Sequence, residues 1–535
     1  MKISGNIVNI ELREIFPGTV TVENGKIIDI TKDDAVYDRY ILPPFIDAHV
    51  HVESSMLIPT EFARLASVHG TGACVSDPHE IANVLGAEGV RFMLDNACKT
   101  PFRFFFGAPS CVPATPFETA GGRITADDIE TLFQDSRIKY LSEMMNVPGV
   151  LFGDETVMTK IGLAEKSGRP VDGHAPTLTG EDLRRYVGAG ITSDHEAITL
   201  DEGREKIALG MKIQIREGSA AKNFEALYPL LNENPDMCML CSDDLHPDNL
   251  ADGHINLLVK RAVKEGVDVF NVLTAACLTP VRHYGLECGL LRAGDSADMI
   301  VVDNLKEFNV IETYIKGIIC AGDGEPYLEN IREAHMNRFE ALDKQPEDFL
   351  VRADGLLDVI TVTDGQLVTG RQKAEPRQKD GYALSDTERD ILKITVINRY
   401  ADAPPAKAFV KNFGLKNGAF ASSVAHDSHN IICVGTDDRS IARAVNLVIK
   451  NSGGLSFVSG GTEMELALPV AGLMTDADGY ETAELYRKID RAVKDAGCVL
   501  SAPFMTLSFM ALLVIPSLKL SDRGLFDGDS FSFAE

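Results

Sequence analysis

Long apolar segments are missing from this 535-residue sequence. No stretch approaches the roughly 18 apolar residues that a membrane-spanning helix requires. The first residues, MKISGNIVNIELREIF, alternate in polarity and carry charges. They lack the apolar core and the small-residue cleavage site of a signal peptide. The sequence therefore predicts a cytoplasmic protein with no membrane partner.

Positive charge is also scarce. Lys and Arg number 52 against 79 Asp and Glu, so the formal net charge is -27. Nonspecific binding to nucleic acid or to an anionic membrane requires a basic surface, and the sequence predicts neither partner. A small neutral or cationic substrate suits this surface better than a polyanion does.

The ten cysteines show no disulfide-like framework. In a cytoplasmic protein they are expected to be reduced and buried. Cys238 and Cys241 have the CxxC spacing of a zinc site, but no second CxxC accompanies them. Small buried residues of a strand explain this pair better than a structural zinc ion does.

The length of the chain predicts two or three domains. Residues 43–289 alternate short apolar strands with amphipathic helices at a period near 30, and eight such units in about 250 residues are typical of a (β/α)8 barrel. Residues 1–42 and 290–340 contain short strands that we expect to form one small flanking β domain. Residues 341–389 are polar and indicate a connecting region, and 390–535 indicate a C-terminal α+β domain.

Two histidines stand at the end of the first predicted barrel strand, in the stretch PPFIDAHVHVESSM. The period of two in a strand places His49 and His51 on one face, about 6.5–7 Å apart at Cα. Barrel enzymes carry their chemistry at the carboxyl ends of the strands. Two imidazoles on one face at such an end can bind one metal ion.

Other strand ends carry further metal-binding side chains. They are Glu143 after the fourth strand, His174 after the fifth, His195 after the sixth and Asp243 after the eighth. Imidazoles and carboxylates bind zinc, manganese and iron alike. Four histidines and two carboxylates exceed one tetrahedral site, so we predict two divalent ions with Glu143 as the bridge. Asp243 can accept the proton of an attacking water.

These residues resemble the pattern of the amidohydrolase superfamily. Its pattern is HxH after strand one, a bridging group after strand four, His after strands five and six, and Asp after strand eight. Many members bridge the ions with a carboxylated lysine, whereas this sequence has Glu143 at that position. Pro44 also replaces the usual glycine before the first strand, which should alter the strand entry and not the ligands.

A narrower resemblance covers nearly the whole sequence. Nine stretches are similar to bacterial adenine deaminases: PPFIDAHVHVESSML, VSDPHEIANVLG, LSEMMNVPGV, DGHAP, IREGSAAKN, CSDDLHPDNL, HDSHNI, LPVAGLM and PFMTLSFMALLVIPSLKLSDRGLFD. The resemblance implies hydrolysis of adenine to hypoxanthine and ammonia by a metal-activated hydroxide in purine salvage. It favours manganese or iron over zinc. The alternatives are an amidohydrolase for another cyclic amidine or amide, such as guanine, cytosine or a hydantoin, and a catalytically silent metal-binding scaffold.

An acid must protonate the ring and the leaving amine, because free amide ion is too basic to depart. The candidates are Glu196, Asp244 and Glu217, and the loop after strand seven favours Glu217 as a catalytic residue. Arg216 and Ser219 of that loop, together with Glu53 and Asp244, are the candidates for binding the base. Ordinary loop carboxylates remain the alternative explanation.

Two further clusters are candidates for supporting the metal site or binding an extra ion. One is Asp77, His79 and Glu80, for which a helix N-terminus capped by Asp77 is the alternative. The other is His426, Asp427 and His429, which could reach over the barrel mouth or form a polar turn. For the assembly, a homodimer or higher homo-oligomer is the commonest expectation.

Overall fold

The eight predicted barrel strands are present and form a closed ring in this computed structural model, which describes residues 1–534. They are Phe45–Val50, Thr71–Ser76, Arg103–Ala108, Ile138–Met144, Val171–Gly173, Ser193–Asp194, Lys212–Arg216 and Cys238–Cys241. The first five form one parallel sheet and the last three another. Parallel bridges between Val50 and Asp243 and between Val171 and Ile191 join the two sheets at both seams. The predicted (β/α)8 barrel is confirmed.

Helices surround the barrel because their apolar stripes pack against the strands. Ile255–Lys264 is an example: it buries Ile255, Leu258, Val259 and Ala262, the spacing of one helical face. The other helices of this region are Pro59–Val68, His79–Leu85, Ala87–Ala97, Ala126–Leu132, Val147–Phe152, Glu155–Lys166, Gly180–Gly188, Leu200–Ala208, Phe224–Leu227, Leu230–Glu233, Pro247–Asp252, Val269–Leu273 and Thr279–Tyr284. Short 3₁₀ helices cover Val52–Ser55 and Pro235–Met237, and a π-helix covers Thr274–Leu278.

One eight-stranded sheet combines the two segments that flank the barrel in sequence. Its strands are Lys2–Asn9, Glu14–Glu23, Lys26–Lys32, Tyr40–Leu42, Met299–Val302, Val310–Ile315, Ile318–Gly322 and Glu325–Pro326. The short strand Tyr40–Leu42 joins the segments, because it pairs in parallel with Lys2–Asn9 and antiparallel with Met299–Val302.

A second eight-stranded sheet lies in the C-terminal part. In spatial order its strands are Gly370–Ala374, Leu357–Thr361, Ala406–Lys411, Ile391–Ile397, Ile431–Gly435, Ala419–Ser422, Gly454–Ser459 and Thr462–Ala467. The helices are Asp438–Lys450, Gly479–Asp495 and Pro503–Phe509, with a 3₁₀ turn at Pro346–Phe349. Two small sheets contain Val351–Arg352, Arg377–Lys379 and Tyr382–Leu384, and Leu518–Ser521, Gly524–Asp527 and Ser532–Phe533.

The segment 341–389, expected to be a connecting region, is more structured than the sequence indicates. It supplies the edge strand Gly370–Ala374 and its neighbour Leu357–Thr361. The edge strand exposes three successive side chains, Arg371, Gln372 and Lys373, so its composition is that of a loop. Leu357–Thr361 pairs with Ala406–Lys411, which lies far along the chain, and a pairing of that kind has no local sequence signal.

The C-terminal domain packs against the end of the barrel where the strands finish. Leu57, just after the first barrel strand, forms a parallel bridge with Thr475, and the Glu61 carboxylate accepts the Gly479 N–H at 2.9 Å. One hydrophobic core runs continuously through the two domains. Among residues 1–534, no helix combines the length and apolar composition needed to cross a membrane.

Candidate active site

The structure brings the six predicted metal ligands together at the carboxyl end of the barrel. His49, His51, Glu143, His174, His195 and Asp243 are all buried. On one side, Asp243 Oδ1 lies 3.4 Å from His49 Nε2 and 3.2 Å from His51 Nε2. Buried donor atoms at this spacing, with no ordinary hydrogen-bond partner for either ring nitrogen of His49, suit one metal ion.

Glu143 lies between this group and the other two histidines. Its Oε2 is 2.9 Å from His174 Nδ1 and 3.1 Å from His195 Nε2. Its Oε1 is 3.5 Å from His51 Nε2. Oε2 of Glu143 therefore faces His174 and His195, whereas Oε1 faces His51, so the two oxygens are directed at different ligand groups.

The electrostatics of the cavity also suit cations. Although burial opposes ionisation, His174 and His195 lower the pKa of Glu143 well below its usual range. Burial likewise opposes the charged imidazole, yet Glu196 and Glu143 raise the pKa of His174 to about 9. Clustered carboxylates thus favour positive charge at the imidazoles. The donor set of imidazole nitrogens and carboxylate oxygens fits divalent ions of the zinc, manganese and iron type.

Arg216 is the one guanidinium in the wall of this cavity. Its Nη1 donates to Asp243 Oδ2 at 2.6 Å and also to Glu196 Oε1, and its Nη2 donates to Glu196 Oε2 at 3.1 Å. Burial opposes ionisation of Asp243, but Arg216 and the two histidines hold its pKa well below the usual range. Arg216 therefore orients Asp243, with Oδ1 left towards His49 and His51.

Asp47 fixes the strands that carry these ligands, a role that the sequence did not reveal. Its carboxylate accepts the Ser242 N–H at 3.0 Å and the Ser242 hydroxyl, and it contacts His254 Nε2 at 2.8 Å. The His49 N–H is 3.3 Å away. Because Asp47 belongs to the first strand and Ser242 follows the eighth, this contact locks the seam where His49 and Asp243 meet.

Glu217 and Ser219 lie outside the cavity. The Glu217 carboxylate is 3.1 Å from Arg261 and 3.7 Å from Lys222, in a separate pocket on the barrel flank. The Ser219 hydroxyl donates to Asn249 at 2.7 Å. Successive residues of an extended chain face opposite ways, and Arg216 already points inward. The structure therefore does not support Glu217 as the catalytic acid or Ser219 as a contact of the base.

Asp244 and Glu53 have different positions. Asp244 lines the cavity, and its Oδ1 accepts the Ser54 hydroxyl at 2.5 Å. Glu53 does not line the cavity; its Oε1 accepts the Ile81 N–H at 3.2 Å. Burial raises the pKa of Glu53 to about 7. Of these two candidates for binding the base, the structure brings only Asp244 to the cavity.

The cluster after the second strand (Asp77, His79 and Glu80) meets the C-terminal cluster (His426, Asp427 and His429) at the cavity. His79 Nδ1 lies 3.0 Å from Asp77 Oδ2 and 3.4 Å from Glu143 Oε1. Asp77 also accepts the His79 N–H at 3.1 Å, so it holds both the ring and the start of the helix. The Glu80 carboxylate contacts His426 Nδ1 through one oxygen and His429 Nε2 through the other.

The comparisons with known proteins cover both halves of the chain. Residues 40–320 match the amidohydrolase family, and residues 366–532 match the adenine deaminase C-terminal domain. A protein named adenine deaminase from Salinibacter ruber is 53% identical over 536 residues, covering 100% of this chain and 98% of that protein. Relatives of the same name from Sulfurovum sp. and Methanosarcina acetivorans are 54% and 50% identical, each covering 100% of this chain and 99% of the relative. The chain belongs to the adenine deaminase family of amidohydrolases.

Membership of the adenine deaminase family makes the protein a metal-dependent hydrolase and implies a divalent metal. It also accounts for the C-terminal wall of the cavity. That wall contains Leu367, His426, Asp427, Phe509 and Leu512. The sequence marked His426 and Asp427 as part of a candidate cluster, but it did not mark the three apolar residues. They lie hundreds of positions from the barrel ligands and resemble core residues in their own segments, so no local pattern marks them.

Proposed function

We propose that this protein hydrolyses adenine to hypoxanthine and ammonia in purine salvage. The observation that carries the proposal is one cavity in which five of the six predicted ligand side chains, all except the fully buried His49, face a wall from the C-terminal domain. The family's relatives named adenine deaminase are similar over that whole arrangement. The water oxygen becomes bonded to C6 of the ring and the C6–N6 bond breaks. One proton of the water ends on the leaving amine, which departs as ammonia, and the other ends on ring N1 of hypoxanthine.

We assign two divalent ions to the six ligands. His49, His51 and Asp243 would hold the first, His174 and His195 the second, and Glu143 would bind both. When bound, the ions would supply Lewis-acid activation of the attacking water. The mixed ligands are compatible with Zn²⁺, Mn²⁺ and Fe²⁺ alike, and the family resemblance favours Mn²⁺ or Fe²⁺.

Asp243 is the residue we assign to proton transfer. It lies beside the ligand groups and is kept ionised by Arg216, so it can accept the proton of water as the C–O bond forms. Glu196 has both oxygens bound to Arg216 and Glu217 lies outside the cavity, so of the three acid candidates Asp244 is the one we assign to delivering a proton to the ring. The Ser54 hydroxyl orients Asp244.

The apolar residues of the cavity suit a flat heteroaromatic ring. Leu367, Phe509 and Leu512 face the polar ligand cluster from the C-terminal side. Apolar contacts of this kind bury the ring faces, while a few polar groups fix its orientation. They also exclude bulk water from the reacting carbon.

Steady-state assays of the metal-loaded protein with adenine, guanine, cytosine and a hydantoin test the proposal. Ammonia and hypoxanthine should appear in equal amounts from adenine. Ammonia from guanine or cytosine with none from adenine would overturn the assignment of substrate. If the fully metal-loaded protein hydrolyses none of the four compounds, the result would favour a silent metal-binding scaffold. The cytoplasmic location and the homo-oligomeric state stay predictions; light scattering of the purified protein measures the latter.

A further inference from the structure

One loop of the C-terminal domain enters the barrel cavity. It connects strands Ala419–Ser422 and Ile431–Gly435, and it carries His426 and Asp427. Both side chains line the cavity, and they are only 2% and 3% exposed. His426 Nε2 and Asp427 Oδ2 have no hydrogen-bond partner among the described residues 1–534. Buried polar atoms without partners are costly, so these two atoms indicate a position at which polar groups of a ligand bind.

The neighbouring contacts decide between a metal ion and an organic ligand at this position. Glu80, His426 and His429 are close enough to hold an ion. However, the Ala425 N–H donates to His429 Nδ1 at 3.2 Å. In a neutral imidazole one nitrogen donates and the other accepts, so His429 Nε2 carries the proton and donates to Glu80. A metal ion at Nε2 would need that nitrogen's lone pair.

Glu80 is therefore best explained as a hydrogen-bonded anchor. With its second oxygen it accepts Nδ1–H of His426, which fixes the His426 ring with Nε2 directed away from Glu80. Although burial alone would lower it, Glu80 and Asp244 raise the pKa of His426 to about 9. His426 thus presents an N–H donor beside the carboxylate acceptor of Asp427.

A purine offers the complementary pattern. When C6 faces the metal ligands, the imidazole edge of the ring lies on the far side, towards the C-terminal domain. That edge carries one N–H donor and one unprotonated ring nitrogen that accepts. We propose that His426 and Asp427 bind this edge, His426 donating to a ring nitrogen and Asp427 accepting the ring N–H. A monocyclic base such as cytosine lacks this edge, so the pair would select bicyclic bases.

This inference rests on the proposed function, and its test separates the two. Wild-type turnover of adenine is measured first, and its absence would overturn the substrate assignment itself. Asp427→Asn and His426→Gln are then compared with His335→Gln. His335 is a half-exposed histidine paired with Asp476 outside the cavity. Metal content and thermal unfolding of each variant verify that the dinuclear site and the fold are intact.

We expect the KM for adenine to rise about 10-fold or more in both loop variants, with kcat reduced much less and metal content equal to that of wild type. His335→Gln should leave KM unchanged. Deaza analogues, in which one ring nitrogen is replaced by carbon, give a second readout. For the wild type, the deaza analogue that lacks the nitrogen contacted by His426 should have a higher inhibition constant than an analogue that keeps this nitrogen. In His426→Gln the two inhibition constants should be equal.

Three results would overturn the inference. The first is a KM within twofold of wild type in both loop variants. The second is a loss of one metal equivalent in His426→Gln, which would favour an extra ion at Glu80. The third is analogue discrimination by His426→Gln that equals that of wild type.

Discussion

At the scale of single residues, the surroundings of each carboxyl group decide its role. Asp243 has one oxygen fixed by Arg216 and the other directed at His49 and His51. Glu196 has both oxygens occupied by the same guanidinium. Glu217 faces Arg261 outside the cavity. The three carboxyl groups therefore differ in chemistry because their oxygens point in different directions and contact different groups.

Replacing Asp243 with Asn should abolish most of the turnover. The amide can still accept the Arg216 hydrogen bond, but it cannot take up a proton, and loss of a general base costs about 10²- to 10⁴-fold. Most of the metal should remain, because the histidines and Glu143 are intact. The measurement is kcat for adenine beside metal content, with Glu217→Gln as the control. Activity of Asp243→Asn close to that of the control would refute its role in proton transfer.

Glu118 gives a prediction for the pH dependence of stability. This residue is buried near the C-terminal loop; its Oε1 accepts the Thr115 hydroxyl at 3.2 Å, and Oε2 has no partner. Burial, with a contribution from Asp427, raises its pKa to about 8. The unfolded chain loses this proton near pH 4.3–4.5, so stability is full below that pH and falls as pH rises to about 8.

The variant Glu118→Gln keeps the Thr115 contact and removes the titration. The melting temperature of the variant minus that of wild type should increase steadily from pH 5 to pH 8. The reason is that the free energy of unfolding of the wild type falls by up to about 1.4 kcal/mol per pH unit over this range. Above pH 8 the difference should level off. Differential scanning calorimetry across this range provides the measurement, and a difference independent of pH would show that Glu118 is not buried in its neutral form.

At the scale of elements, strand periodicity predicted which six side chains meet at the carboxyl end of the barrel. Each lies near the carboxyl end of a short apolar strand or just after it, and barrel geometry requires that the carboxyl ends of all eight strands meet at one face. Side-chain direction after a strand ends was harder to predict. Glu196 follows a two-residue strand, and Asp243 has a φ of 58°, so the chain turns there. Both Glu196 and Asp244 consequently face the cavity despite following inward-facing ligands.

The seam between the first and eighth strands should depend on Asp47. Asp47→Ala would leave several buried donors without an acceptor, at about 1–3 kcal/mol each, so the melting temperature should fall sharply. Metal affinity should fall as well, since His49 and Asp243 would no longer be held in register. Asp29→Ala, at an exposed position, is the matched control. Metal retention after dialysis equal to wild type would show that the seam is held by other contacts.

At the scale of the whole molecule, the active cavity belongs to two domains. The barrel supplies the predicted ligands, and the C-terminal domain supplies His426, Asp427 and the apolar wall. The barrel could be predicted from periodicity. The contacts of Glu80 with His426 and His429 span about 350 residues of sequence, and only the folded chain brings them together.

The dinuclear hydrolytic site is the central claim, and titration of metal-free protein with Mn²⁺ or Fe²⁺ tests it most directly. Adenine turnover is followed as hypoxanthine and ammonia against the equivalents of metal added per chain. We predict negligible activity without metal, a rise to a plateau at two equivalents, and equal amounts of both products. Full activity in the metal-free protein, or a plateau at one equivalent, would contradict the assignment of His49, His51, Glu143, His174, His195 and Asp243 to two ions.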